Sequence, residues 1–97
     1  MDRNVLEKNA LAEALVDLPG WSADDDGTSI GRTFEFKNFP EAFAFMTRSA
    51  LAAEKLDHHP DWSNSYKTVT VRLSTHDRGG VTALDVELAK RMNRYAG

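Results

Sequence analysis

The sequence predicts an α+β fold, in which an antiparallel sheet of three to four strands carries three helices packed on one face. Three segments repeat apolar residues at helical spacing, and the segments between them alternate apolar and polar residues as strands do. The first two predicted strands are joined by a tight turn, and no short βαβ repetition is present. With 97 residues, the chain is predicted to form a single domain, residues 1–97.

The first helix is predicted over Val5–Asp17, where apolar residues recur at helical spacing. Asn4 is the expected N-cap, with Glu7 as its reciprocal partner in a capping box. Pro19-Gly20 then ends the helix, because neither residue continues helical backbone well.

The next segment is predicted to be a hairpin. Asp25-Asp26-Gly27 favours a turn, because Asp and Gly tolerate positive φ. The turn separates a short first strand, Trp21–Asp24, from a second strand, Ser29–Phe36, whose apolar residues share one parity. Arg32 interrupts that parity, so we do not expect a uniformly buried face.

The second helix is predicted to be the central one. Asn38 is its expected N-cap, and Pro60 disfavours helical backbone at His59, so the helix should end near Asp57 or His58. Its apolar surface is wide enough to predict packing on more than one side, against the sheet and against a second subunit. A small core with one unusually apolar helix explains the pattern equally well. The two apolar stripes are Phe39, Phe43, Met46, Ala50 and Ala53, and Ala42, Phe45, Ser49, Ala52 and Leu56.

The last third of the chain is predicted to hold the best strand and the third helix. Apolar residues occupy one parity of Tyr66–His76, so His76 is expected to project from the polar face at the strand end. The piece Trp62–Asn64 is either a separate short strand or a continuation of that strand across a bulge. Thr82 is the expected N-cap of the third helix, with Asp85 in the capping-box position.

The composition excludes several classes of function. The chain has no Cys, which removes disulfides, thiolate catalysis and Cys-type zinc sites. The net charge of -3 argues against a general nucleic-acid binder. No apolar run is long enough to span a membrane, and the N-terminus lacks the apolar segment of a signal peptide, so the expected location is the cytoplasm.

The segment Glu54–Trp62 concentrates the side chains that can do chemistry. Glu54 and His58 are four residues apart, so they are expected on one helix face, where the carboxylate would fix the imidazole tautomer. His59 is adjacent and points elsewhere, and His76 would complete a cluster. Because imidazole gains and loses protons close to neutral pH, such a cluster suits a reaction that needs an acid and a base but no nucleophile. Elimination of water is one such reaction.

Two other interpretations of the histidines remain open at this level. The histidines with Glu54 or Asp57 would supply enough ligands for zinc, but adjacent histidines are awkward ligands and no H-x-x-x-H pair is present. His-His-Pro at a helix end is also explained as a cap and turn, and Trp62 as a core aromatic.

The histidines belong to a longer set of residues with fixed spacing. The set consists of Glu54–Pro60, Trp62, Asn64, Tyr66, Val69, Val71, Leu73, Thr75-His76, Gly79-Gly80, Thr82 and Asp85. This set resembles the signature of the pterin-4a-carbinolamine dehydratase family, also known as the dimerisation cofactor of a homeodomain transcription factor. The similarity also covers Gly20-Trp21, Phe34–Phe36 and the Phe-rich second helix.

The resemblance implies a hydro-lyase, a 4a-hydroxytetrahydrobiopterin dehydratase. Its product would be quinonoid dihydropterin, and its role would be to recycle the pterin cofactor of aromatic amino-acid hydroxylases such as phenylalanine hydroxylase. It implies that no metal or other cofactor is needed, and that the chain forms a homodimer or homotetramer. A non-catalytic binding or coactivator module of the same fold is the alternative, but such a scaffold has no need of all three histidines.

Matched by position, His58, His59 and His76 resemble the catalytic histidines of the family. We expect His58 and His76 to share the acid and base roles, and His59 to bind and orient the pterin. Glu54 is expected to orient His58, and Asp85 to support His76 from the third helix. The expected substrate-binding residues are Trp62, Asp57 and Thr75.

Overall fold

The computed structural model describes residues 1–97 and contains three α-helices and one four-stranded antiparallel sheet. The α+β prediction is therefore confirmed. The helices are α1 Lys8–Val16, α2 Phe39–Leu56 and α3 Ala83–Ala96, and the strands are β1 Ser22–Ala23, β2 Ile30–Glu35, β3 Asp61–Ser65 and β4 Thr68–Leu73.

The strands lie in the order β1-β2-β4-β3, with every neighbouring pair antiparallel. β3 and β4 form a hairpin around Tyr66, whose φ of 52° places it in the left-handed region. The piece at 62–64 thus belongs to a separate strand. The predicted strand at 66–76 is too long at both ends, because Tyr66 turns the chain and a 3₁₀ turn, His76–Arg78, begins after Thr75. His76 therefore lies in this turn and not on the strand.

One face of the sheet carries the core, as the alternation predicted. The other face stays open, with Thr33, Glu35 and Thr70 exposed. Leu11 of α1, Phe45 of α2 and Leu88 of α3 all join the core on the covered face, which gives the arrangement of three helices on one side of a sheet. The strand residues that form the core floor are Ile30, Phe34, Val69, Val71 and Leu73, each at most 1% exposed.

Helix α2 begins and ends as expected. The Asn38 side chain accepts a hydrogen bond from the Glu41 N–H at 2.9 Å, and Asp57 ends the helix with a φ of 51°. One face packs into the core, whereas Phe39, Phe43 and Leu51 are exposed. The second packing side expected for this helix is thus open within one chain, and its burial in a homodimer or homotetramer stays a prediction.

Helix α1 begins later than predicted, at Lys8. The prediction of a capping box with Asn4 as N-cap is therefore wrong. Glu7 occupies the N-cap position without a side-chain cap hydrogen bond. The residues before it are held elsewhere, because the Leu6 N–H donates to the Val81 carbonyl at 2.8 Å. This long-range contact keeps the chain out of a helix until Glu7.

Arg32 is tolerated near the core because its guanidinium has partners. It lies 4.2 Å over the Phe34 ring and donates to Asn93 Oδ1 at 2.6 Å and to the Pro19 carbonyl at 3.1 Å. Burial lowers the pKa of this guanidinium by penalising its charged form. None of the helices combines the length and apolarity that a membrane crossing by a helix requires.

Candidate active site

The structure brings the three histidines together in one polar cleft of about 310 Å³. Two elements form most of its wall. The segment after α2 supplies His58 and His59, and the segment after β4 supplies His76. Asp57 and Thr75, both expected to contact substrate, also line the cleft.

His58 is buried and paired with a carboxylate from another element. Its Nε2 contacts Oδ1 of Asp85, with the two side chains 8% and 0% exposed. The prediction that Glu54 is the partner of His58 is wrong. The left-handed residue Asp57 ends the helix before His58, so the four-residue spacing no longer places His58 and Glu54 on one face.

Asp85 is held by three donors, one of which completes the capping box of α3. The Thr82 N–H donates to Asp85 Oδ2 at 2.9 Å, and the Thr75 hydroxyl donates to the same oxygen at 2.8 Å. The capping box predicted from sequence is therefore confirmed. Its expected link to His76 is not formed, because both carboxylate oxygens are taken by the cap, by Thr75 and by His58.

The other two histidines are exposed and pair with exposed carboxylates. His59 Nε2 lies 2.9 Å from Glu54 Oε1, with side chains 59% and 80% exposed. His76 Nε2 lies 3.0 Å from Asp61 Oδ2, with side chains 66% and 51% exposed. Each histidine thus has its own carboxylate.

Asp61 was not predicted to be a site residue, although it directly follows His59-Pro60 in the segment Glu54–Trp62. Its position depends on the β3–β4 register, in which Asp61 lies opposite Arg72 at the same sheet end as His76. A hairpin prediction for 61–73 would have carried this signal, since register places both ends of a hairpin together.

The hydrogen-bond pattern assigns the protons of the three rings. In each pair Nε2 lies against a carboxylate, which accepts a hydrogen bond, so Nε2 is assigned the proton and Nδ1 is the ring nitrogen without a carboxylate partner.

Two of the residues expected to bind substrate, Trp62 and Thr75, have little or no surface in the cleft. Trp62 does not line the cleft, and its partly buried ring packs against the core. Thr75 borders the cleft but is only 1% exposed, so its hydroxyl acts on Asp85. No group of three or more His, Asp or Glu side chains is placed to hold one metal ion.

Comparison with known proteins places these residues in a family. The sequence model of the family described as pterin 4 alpha carbinolamine dehydratase matches residues 4–95. The chain belongs to this family. The resemblance noted from the histidine signature is therefore confirmed, and so is the classification as a dehydratase, a hydro-lyase.

Relatives match this dehydratase-family chain along nearly all of their length. A protein of Mesorhizobium japonicum is 66% identical over 97 residues, covering 100% of this chain and 99% of its own. One of Afipia carboxidovorans is 62% identical over 93 residues, covering 96% and 93%. Both carry the provisional name pterin-4-alpha-carbinolamine dehydratase.

Solved structures show the same fold. The crystal structure of a transcriptional coactivator/pterin dehydratase from Brucella melitensis has a TM-score of 0.95 and 50% identity, covering 97% of this chain and 100% of that one. A pterin dehydratase-like protein described as a RuBisCO assembly factor in the alpha-carboxysome has a TM-score of 0.70 and 19% identity, covering 80% and 90%. The second similarity concerns the fold alone.

Proposed function

We propose that this protein dehydrates 4a-hydroxytetrahydrobiopterin to quinonoid dihydropterin by histidine acid/base catalysis. The observation that carries the proposal is the cleft in which three imidazoles, each with its own carboxylate, face one space. Such a set supplies both a proton donor and a proton acceptor near neutral pH, and the proposed elimination needs both.

The proposed reaction moves two protons and breaks one carbon–oxygen bond. The C4a–O bond breaks as an acid protonates the leaving hydroxyl, which departs as water. A base removes the proton from N5, and the electron pair of that bond forms the C4a=N5 double bond. The step is neutral overall and, as proposed, uses no metal or other cofactor.

We assign the base role to His58 and the acid role to His76. The buried Asp85 carboxylate holds the His58 ring in one orientation and lies beside the charge that the ring would acquire as a base, so we give His58 the role of the group that gains a proton. His76 can be protonated from solvent at its exposed pair with Asp61, so it suits the group that gives one. His59, held by Glu54, binds and orients the pterin.

The proposed context of the reaction is the recycling of the pterin cofactor of an aromatic amino-acid hydroxylase such as phenylalanine hydroxylase. A cytoplasmic location belongs to the same proposal. A hydroxylase supplied with limiting pterin should turn over longer when this protein is added.

Dehydration of chemically generated carbinolamine, followed spectroscopically against the spontaneous rate, tests the proposal. The wild-type protein should accelerate the reaction. His58→Ala and His76→Ala should each lower kcat by about 100-fold, the usual contribution of a general acid or base, whereas His59→Ala should mainly raise KM.

Two results would contradict the proposal. A folded wild-type protein that gives no acceleration would favour the non-catalytic binding module. Near wild-type rates for both His58→Ala and His76→Ala, with His59→Ala inactive, would reverse the assigned roles.

A further inference from the structure

The residues before α1 form an N-terminal strap, Arg3–Leu6, that runs beside the loop after β4. Arg3 Nη2 donates to both oxygens of Asp77, at 2.7 and 2.8 Å. Val5 packs so closely on Gly80 that a Cβ added there would lie 2.7 Å from Val5 Cγ1. Together with the hydrogen bond from the Leu6 N–H, these contacts fix the strap at three points along the loop.

The loop held by the strap joins two parts of the histidine cleft. It begins with His76 in the 3₁₀ turn and ends at Thr82, which caps α3 next to Asp85. Asp77, the residue that Arg3 binds, directly follows His76. A contact that fixes Asp77 therefore acts on the backbone that carries His76.

Arg3 is itself part of the cleft wall, and it is the only Lys or Arg among the residues that line it. Its side chain is 41% exposed, but its Nε is buried, so the inner half of the side chain is packed against the protein. The family match begins at residue 4, so Arg3 lies outside the part of the chain that the family description covers.

We propose that Arg3 is a positioning residue for His76 and acts through Asp77. His76 is 66% exposed, and its only hydrogen bond through the ring goes to the exposed carboxylate of Asp61. The carboxylate of Asp77 is adjacent in sequence and would compete with Asp61 for that ring if it lost its own partner. Arg3 neutralises Asp77 and holds the turn, so His76 keeps its bond to Asp61.

The test rests on the proposed function and compares Arg3→Gln with a matched control, Arg78→Gln. Arg78 lies in the same turn, is exposed and has no side-chain partner in the structure, so its loss removes an equal charge without touching Asp77. Arg3→Gln should lower kcat by about fivefold with KM unchanged, within the range that one exposed ion pair can supply. Arg3→Lys should recover most of the rate, and Arg78→Gln should leave it unchanged.

A second comparison separates positioning from a general structural effect. In a His76→Ala background, adding Arg3→Gln should change kcat no further, because the group that it positions is gone. An undiminished effect there, an unchanged kcat in Arg3→Gln alone, or an equal loss in Arg78→Gln would each overturn the proposal.

The assay of the wild-type protein distinguishes failure of the proposed function from failure of the role proposed for Arg3. If the wild-type protein does not accelerate dehydration, hydrogen exchange of the Gly79 N–H decides the question, since this group donates to the Thr75 carbonyl at 2.9 Å within the turn. Exchange about fivefold faster in Arg3→Gln than in Arg78→Gln would support the strap's hold on the His76 turn. Equal exchange would contradict it.

Discussion

The three imidazoles share one cleft, but their pairs with carboxylates have different surroundings. The His58–Asp85 pair joins two elements far apart in sequence and is shielded from solvent, at 8% and 0% exposure. The pairs His59–Glu54 and His76–Asp61 are more than half exposed. An imidazole and a carboxylate are thus paired once in the interior of the protein and twice on its surface.

This difference determines how firmly each imidazole is held. A buried carboxylate must have partners, because leaving it unpaired costs several kcal/mol, and Asp85 has Thr75, Thr82 and His58 around it. An exposed pair exchanges its partner for water at little cost, so its side chains can turn. We infer that the buried pair fixes the site, and that the exposed pairs adjust to the ligand.

The largest effect is expected from Asp85→Ala. Its removal leaves the Thr82 N–H and the buried His58 ring without their carboxylate partner, and leaves the Thr75 hydroxyl with the Thr82 hydroxyl alone, so the free energy of unfolding should fall by about 3–5 kcal/mol. Urea denaturation measures this change. The matched variant Asp61→Ala, at the exposed pair, should cost at most about 1 kcal/mol. Equal losses in the two variants would show that burial does not separate the pairs.

A smaller effect is expected from Thr75→Val, which removes one donor to Asp85 and keeps the side-chain shape. The free energy of unfolding should fall by about 1–3 kcal/mol, the cost of leaving a buried acceptor one partner short. Ser74→Ala is the control, since its hydroxyl bonds the Thr28 carbonyl, away from Asp85. Only Thr75→Val should also lower kcat for dehydration, and a loss of kcat in Ser74→Ala would contradict the role given to Thr75.

Much of the fold could be predicted from local sequence. The caps at Asn38 and Thr82, the stop before Pro60 and the apolar parity of β4 all depend on residues within a few positions of one another. The start of α1 could not be predicted, because the contact between Leu6 and Val81 decides it.

The candidate site likewise combines features that follow from local sequence with features that depend on long-range contacts. The sequence singled out all three histidines, and the structure places them along one cleft, but the partners of His58 and His76 were assigned wrongly. The pair His58–Asp85 spans 27 residues and His76–Asp61 spans 15, so both depend on tertiary packing and strand register. Glu54 was expected to orient His58, but its carboxylate contacts His59, because the turn at Asp57 redirects the chain.

The smallest effects are expected from Asp61→Asn and Glu54→Gln, which keep side-chain size and remove one exposed charge each. Neither should change the free energy of unfolding by more than about 1 kcal/mol. Because salt screens exposed charges over about 10 Å at 0.1 M, raising the salt concentration should reduce wild-type kcat toward that of Asp61→Asn. Asp85→Asn should instead lose kcat at every salt concentration, because its pair is shielded. An equal effect of salt on kcat in the wild type and in Asp61→Asn would contradict this prediction. The charge of Asp61 would then not contribute to the rate through His76, and the buried pair His58–Asp85 would account for the proton transfer.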